Sequence, residues 1–263
     1  MLRLGNQIVT LNGSIAADPT EIPAEWSGWS GLTSYWRFDE TSGSSAADAV
    51  GSVDGTLSAG SFDASGKHDY CYYNSAGAAK GVNLGNNYGF ESNEAFSWST
   101  WVKRDSINNW NYIVCKTMTT NATTGIEMKF NNFTSTYVRN SPMFFLINCY
   151  WAADCGSLRF NGVVSDIACD NTGVWYHIVY TYDGNSGSTS GMNIYVDGVK
   201  STCAVYGASL SGSIINTNPI CIGGADNSAQ ALIGRVDEVG VWNRELTQTE
   251  VTALYNSGTG LFY

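Results

Sequence analysis

Aromatic and β-branched residues recur at every second position through much of this chain, and that period decides the fold class. Residues 174–182 read VWYHIVYTY, with Tyr176, Ile178, Tyr180 and Tyr182 on one face and Trp175, His177, Val179 and Thr181 on the other. Residues 95–103, AFSWSTWVK, place Phe96, Trp98, Thr100 and Val102 together in the same way. Successive strand side chains point to opposite faces, and these residue types suit a pleated, half-buried surface. Further strands are predicted at residues 32–39, 111–116, 125–130, 143–149, 219–223 and 232–242. Asp197-Gly198 separates IYV from VKST and predicts a hairpin, because both central residues of a type I′ turn need positive φ. One helix is predicted over 247–256, with Thr247 and Glu250 as a capping box, Leu246 and Val251 at staple spacing and Gly258 as its stop. The sum is an all-β, two-sheet antiparallel sandwich with one short C-terminal helix.

Residues 1–30 read differently and are expected to form an N-terminal arm, with the sandwich occupying 31–263. The arm carries a short apolar alternation (Ile8, Val9, Leu11) and two tryptophans, Trp26 and Trp29, outside any predicted strand. Exposed, such groups would promote association. They are expected either to dock on a partner, adding a strand or inserting a ring, or to fold back on their own domain.

Charge excludes some partners. The chain has 13 basic and 23 acidic residues, a net charge of −10, so a nucleic-acid partner, which needs a basic surface, is not expected. No apolar run approaches the roughly 18 residues of a membrane span, so no membrane insertion is expected. The first residues lack the apolar block of a signal peptide, which predicts a chain made in the cytoplasm. The seven cysteines show no CxxC spacing. They read as buried thiols, or as a later clip such as Cys149–Cys155 or Cys203–Cys221.

Three segments carry a resemblance. YWRFDETSGSSAADAVGSVDGTL (35–57), WYHIVYTYDG followed by MNIYVDG (175–198), and IGRVDEVGVWNRELTQTEVTALYNSG (233–258) together resemble the opening, paired-strand and closing motifs of laminin-G-like domains. The resemblance implies a concanavalin A-like jelly roll, the fold of lectins, pentraxins and some glucanases. It also implies one structural Ca²⁺ joining the opening loop to the closing strand, with Asp48, Asp54 and Asp237 as the matching carboxylates. The alternative is that Asp48 and Asp237 only hydrogen-bond locally. His177 occupies the family's Trp-x-His position, as a structural residue.

The residues argue against catalysis. A retaining glycosidase needs two carboxyls on one face about 5–5.5 Å apart. Glu127 stands alone on its strand, and adjacent Asp237 and Glu238 are expected to face opposite ways. Glycan binding needs an aromatic platform with polar groups beside it. Trp110, Tyr150 and Trp151, in INNWNY and NCYWAADC, are the candidates, with core packing as the alternative. The expected function is a non-catalytic attachment or display module on a phage virion surface, as capsid decoration or tail-associated protein. Its arm would dock to other virion proteins in a homo-oligomeric assembly, and its sandwich would meet cell-surface glycans. The alternative is a calcium-dependent lectin domain of an extracellular protein.

Overall fold

The computed structural model describes residues 2–4, 7–9, 15–17, 26–75, 81–107, 110–117, 123–133, 136–150, 157–185, 188–225 and 230–263. Two antiparallel sheets form the body. The eight-stranded sheet runs in the order Val199–Lys200, Met192–Val196, Trp175–Tyr182, Phe96–Arg104, Gly234–Trp242, Cys71–Asn74, Ser61–Asp63, and Leu32–Trp36 also pairs with Gly234–Trp242. The nine-stranded sheet runs Ala204–Ala208, Arg159–Val164, Pro142–Tyr150, Thr123–Phe130, Asn111–Cys115, Cys221–Ile222, Val82–Asn83, Gly55–Leu57, Ser45–Ala46.

The period-two faces sort as expected. Phe96, Trp98, Val102, Ile178, Tyr180 and Tyr182 meet Ile126, Met128, Phe144 and Leu146 of the other sheet in one fully buried core. Asp197 and Gly198 have φ of 51° and 76° and close the hairpin in which Val196 pairs with Val199. The helix spans Gln248–Tyr255 with its capping box formed; it ends at Asn256 in the left-handed region, two residues before Gly258.

The helix packs on the outer face of the eight-stranded sheet. Val179, Tyr195 and Trp242 meet Leu246, Val251 and Leu254 there, and Trp26 packs against the same cluster. The Trp242 indole Nε1 donates to the Gly28 carbonyl at 2.8 Å, and Arg244 Nε donates to the Ser30 carbonyl at 2.5 Å. Residues 26–30 are therefore part of the domain, and Trp26 is half-buried on its own chain rather than free for a partner. Leu2–Leu4, Gln7–Val9 and Ile15–Ala17 form a separate three-stranded antiparallel meander. Ile8 and Val9 lie in its middle strand. Leu11 lies outside the described residues, and Trp29 closes the short 3-10 turn Ser27–Trp29.

The cysteines divide. Cys71, Cys115, Cys169 and Cys203 carry free thiols, so no Cys203–Cys221 bridge forms. Cys149 is disulfide-bonded, which corrects the buried-thiol reading for that residue; its partner is outside the described residues.

Candidate functional site

A second apolar layer lies on the outer face of the nine-stranded sheet. Alternation sends Phe144 and Leu146 into the sandwich, so Met143, Phe145 and Ile147 point outward, where they join Phe160 and Val164. Over this floor stand four half-buried aromatics, Trp110, Phe133, Tyr137 and Tyr206. Trp110 meets Phe133 edge-on at 4.9 Å between centroids. Phe133 stacks on Tyr206 at 5.5 Å, and Tyr137 lies 5.0 Å from Phe133 and 5.5 Å from Tyr206. Such ring pairs contribute about 0.5–1.5 kcal/mol beyond burial. They also present an amphipathic surface with hydroxyl tips.

A charged pair borders the slab. Lys129 Nζ sits 5.3 Å from the Trp110 ring centre and 5.1 Å from those of Tyr112 and Phe145. It bonds Glu127 Oε2 at 2.5 Å, while Glu127 Oε1 accepts from Thr117 Oγ1 at 3.0 Å. The Tyr112 hydroxyl is pushed upward in pKa by burial and then by Glu127 beside it. Both charges are thus held in place by neighbours that fix their orientation.

Of the glycan candidates, Trp110 belongs to this slab. Tyr150 ends the strand Pro142–Tyr150, and Trp151 lies outside the described residues. Phe133, Tyr137 and Tyr206 were not anticipated. Tyr206 sits on an edge strand, Ala204–Ala208, whose AVYGA sequence has no strong alternation.

The carboxylates expected to hold calcium accept hydrogen bonds from backbone amides. Asp48 Oδ1 accepts from the backbone N–H of Tyr35 (3.0 Å), Val50 (3.1 Å) and Gly51 (2.9 Å), and Oδ2 from that of Val53 (3.1 Å). Burial would raise its pKa, but the Ser34 hydroxyl and the backbone donors outweigh burial and hold it below the usual carboxylate range. Asp54 Oδ1 accepts from Asp48 N at 2.9 Å. Asp237 is fully buried elsewhere; its Oδ2 accepts from Lys67 N (2.7 Å) and His68 N (3.1 Å), and its Oδ1 from Glu238 N (3.0 Å). Asp48 thus clamps the opening loop through four backbone amides.

Asp237 and Glu238 also correct the expectation that they face opposite ways. Ser99 pairs with Gly240 but Trp101 pairs with Asp237, so one residue of the Phe96–Arg104 strand faces two of its neighbour. Glu238 takes φ 52°, and Val236 and Val239 both enter the core. Such a bulge turns both acids to the outer face. Burial, reinforced by Glu238, raises the Asp237 pKa, and burial raises that of Glu238.

His177 is structural, as expected. Its Nε2 lies 2.8 Å from Ser99 Oγ, its ring is 5.0 Å from that of Trp101, and it is 1% exposed. Burial, with Lys67 adding repulsion, pushes its pKa down to about 3.

Comparison with known proteins now decides the family. The profile of the Concanavalin A-like lectin/glucanases superfamily, in its laminin-G form, matches residues 76–252, well over half of the chain. The chain belongs to this superfamily. No curated protein matches it in sequence. Among solved structures it is similar to the binding domain of Paraclostridial Mosquitocidal Protein 1 (15% identity, TM-score 0.62, 88% of this chain and 53% of that one). It is also similar to domain 4 of AbnA, an extracellular arabinanase from Geobacillus stearothermophilus solved with arabinotriose (17%, 0.58, 84% and 96%). A third is the receptor-binding domain of botulinum neurotoxin D (14%, 0.57, 88% and 54%). The superfamily member described here spans about half the length of the two toxin domains. At these identities the likeness establishes a shared lectin-like fold.

Proposed function

We propose that this protein is a non-catalytic carbohydrate-binding module that engages glycans through the aromatic slab on its nine-stranded sheet. The observation that carries the reading is the group of four half-buried rings, Trp110, Phe133, Tyr137 and Tyr206, above an apolar floor and beside the oriented Lys129–Glu127 pair. A stacked ring accepts the C–H face of a sugar, and fixed polar groups at its edge set orientation. The neighbours named as a binding domain and as a receptor-binding domain, and the one solved with arabinotriose, support the class. The non-catalytic part rests on carboxylate placement. Glu127 is occupied by Lys129 and Thr117, while Asp237 and Glu238 are 0% and 3% exposed. A glycan array probed with the intact protein and with Tyr206→Ala and Trp110→Ala tests this. Binding lost at least tenfold in both variants is expected; binding that persists unchanged in both refutes the slab.

The setting we propose is display on a virion surface, with the N-terminal meander docking to other virion proteins in an oligomeric assembly. The support is that its three strands have three residues each, too few to be stable alone. Deleting residues 1–25 should leave the sandwich folded and abolish incorporation into particles; unchanged incorporation refutes the docking role.

A further inference from the structure

Two cysteines face each other across the middle of the nine-stranded sheet. In the antiparallel pairing of Asn111–Cys115 with Cys221–Ile222, Val114 lies opposite Ile222 and Cys115 opposite Cys221. Val114 and Ile222 enter the core between the sheets, so alternation turns both cysteine side chains to the outer face. Neither takes part in a disulfide in this structure, and Cys115 Sγ lies 3.2 Å from Thr117 Oγ1.

Opposed residues on antiparallel strands have Cα atoms about 4.5–5.5 Å apart, inside the range of about 4.4–6.8 Å that a disulfide spans. Their Cβ atoms are about 4.5–5.5 Å apart, and a disulfide holds them at about 3.5–4.5 Å. Closing the bond therefore asks for a shift of about one ångström. The strand that must give, Cys221–Ile222, is two residues long, and its neighbour Val82–Asn83 is as short. Cys115 and Cys221 are 1% and 0% exposed, and Tyr112 and Ala225 pack with Cys115. Burial, reinforced by Glu127, pushes the Cys115 thiol up to about 12, so the folded chain offers almost no thiolate there for exchange. Cys149 is disulfide-bonded, and such bonds persist in oxidising surroundings.

We propose that Cys115 and Cys221 are a site of cross-strand disulfide formation, closed while the chain folds and buried once the sheet is complete. The oxidant is a low-molecular-weight disulfide such as glutathione disulfide. One cysteine, as thiolate, attacks the oxidant's S–S bond, forms a mixed disulfide and expels one glutathione thiolate. The other cysteine, as thiolate, attacks the protein sulfur of that mixed disulfide, forms the Cys115–Cys221 bond and expels the second. Two protein thiols give up two protons and two electrons, and one glutathione disulfide becomes two glutathione thiols. The bond fastens the short strand Cys221–Ile222, which joins Asn111–Cys115 to Val82–Asn83 and so links the two halves of the nine-stranded sheet.

The test is refolding of the full chain from reduced, denatured material, once in a glutathione redox buffer and once in dithiothreitol. Alkylation in denaturant and peptide mapping without reduction follow. In the glutathione arm the peptides holding Cys115 and Cys221 should appear linked, lighter than their sum by two hydrogens. Reduced chain that has already folded, placed in the same buffer for the same time, should keep the two unlinked. Oxidation should raise the melting temperature of the wild type by about 5–15 °C more than that of Cys115→Ser, which keeps Cys149 and its bond. Four results would overturn the proposal: both cysteines alkylated in the glutathione arm, either one linked to a different cysteine, equal yields of the bond from folded and unfolded chain, or equal gains in melting temperature for the two proteins. Should Cys115→Ser not fold, the wild-type peptide map decides alone.

Discussion

Lowering the pH should destabilise this domain through His177 in a measurable, assignable way. The imidazole is buried against Trp101 and Tyr255, its Nδ1 has no hydrogen-bond partner, and burial holds its pKa at about 3. In the unfolded chain it would titrate near 6.5. Its folded pKa is depressed, so the neutral ring favours the native state above pH 6.5. Below that, the unfolded chain binds a proton that the native state refuses. This ring alone then removes about 1.4 kcal/mol of stability per pH unit until the pH nears 3. From pH 6 to pH 4 the loss is about 2.5 kcal/mol, a large part of a typical margin of about 5–15 kcal/mol. Carboxylates also titrate in this range, so the assay is comparative: urea unfolding of the wild type and of His177→Gln at pH 7.5, 6, 5 and 4. The stability difference between the two proteins should change by about 1.4 kcal/mol per pH unit below 6.5, in the direction that favours the variant in acid. Parallel pH profiles would refute the reasoning. So would a His177 ring resonance that titrates near 6.5 in the native wild type.

Other substitutions probe other links in the structure. Asp48→Ala strands four backbone N–H donors of the opening loop and should cost about 2–4 kcal/mol in urea unfolding, with or without EDTA. Glu250→Ala removes the capping-box carboxylate that Thr247 N and Arg244 both use, at 2.8 Å and 2.7 Å. It should cost about 1–2 kcal/mol in the same assay. Gly207→Ala would put a methyl 2.2 Å from a Phe160 ring atom. The adjoining Tyr206 should be displaced and glycan-array signal reduced, while far-ultraviolet circular dichroism keeps its sandwich shape.

What could be read from the chain alone depended on how strictly each strand kept its period. Phe96–Arg104 and Trp175–Tyr182 are central, covered on both sides, and aromatic at most positions, so their two faces were plain. Arg159–Val164 and Ala204–Ala208 were not, and the reason is steric. A Cβ on Gly162 would lie 2.6 Å from the Phe145 ring, and one on Gly207 2.2 Å from the Phe160 ring. Glycine weakens a strand by itself, but here it makes room for rings that belong to distant segments, and only the folded register reveals them. The slab's membership was hidden for the same reason, because Tyr206 comes from one of those weak strands. The opening loop is a similar case. A Cβ on Gly51 would stand 2.6 Å from Asp48 Oδ2, so the loop closes tightly enough to spend that carboxylate on amides. No local pattern distinguishes such a carboxylate from a metal ligand. The acid pair is different, since its signal was present. In RVDEVGVW the core residues are Val236, Val239 and Val241, and the first spacing is three where alternation demands two. A period broken once, with apolar residues on both sides of the break, requires an inserted residue, and an inserted residue turns two neighbours to one face. Read that way, Asp237 and Glu238 had to converge, and what remained unreadable was that Lys67 and His68 would bring their backbone amides to Asp237.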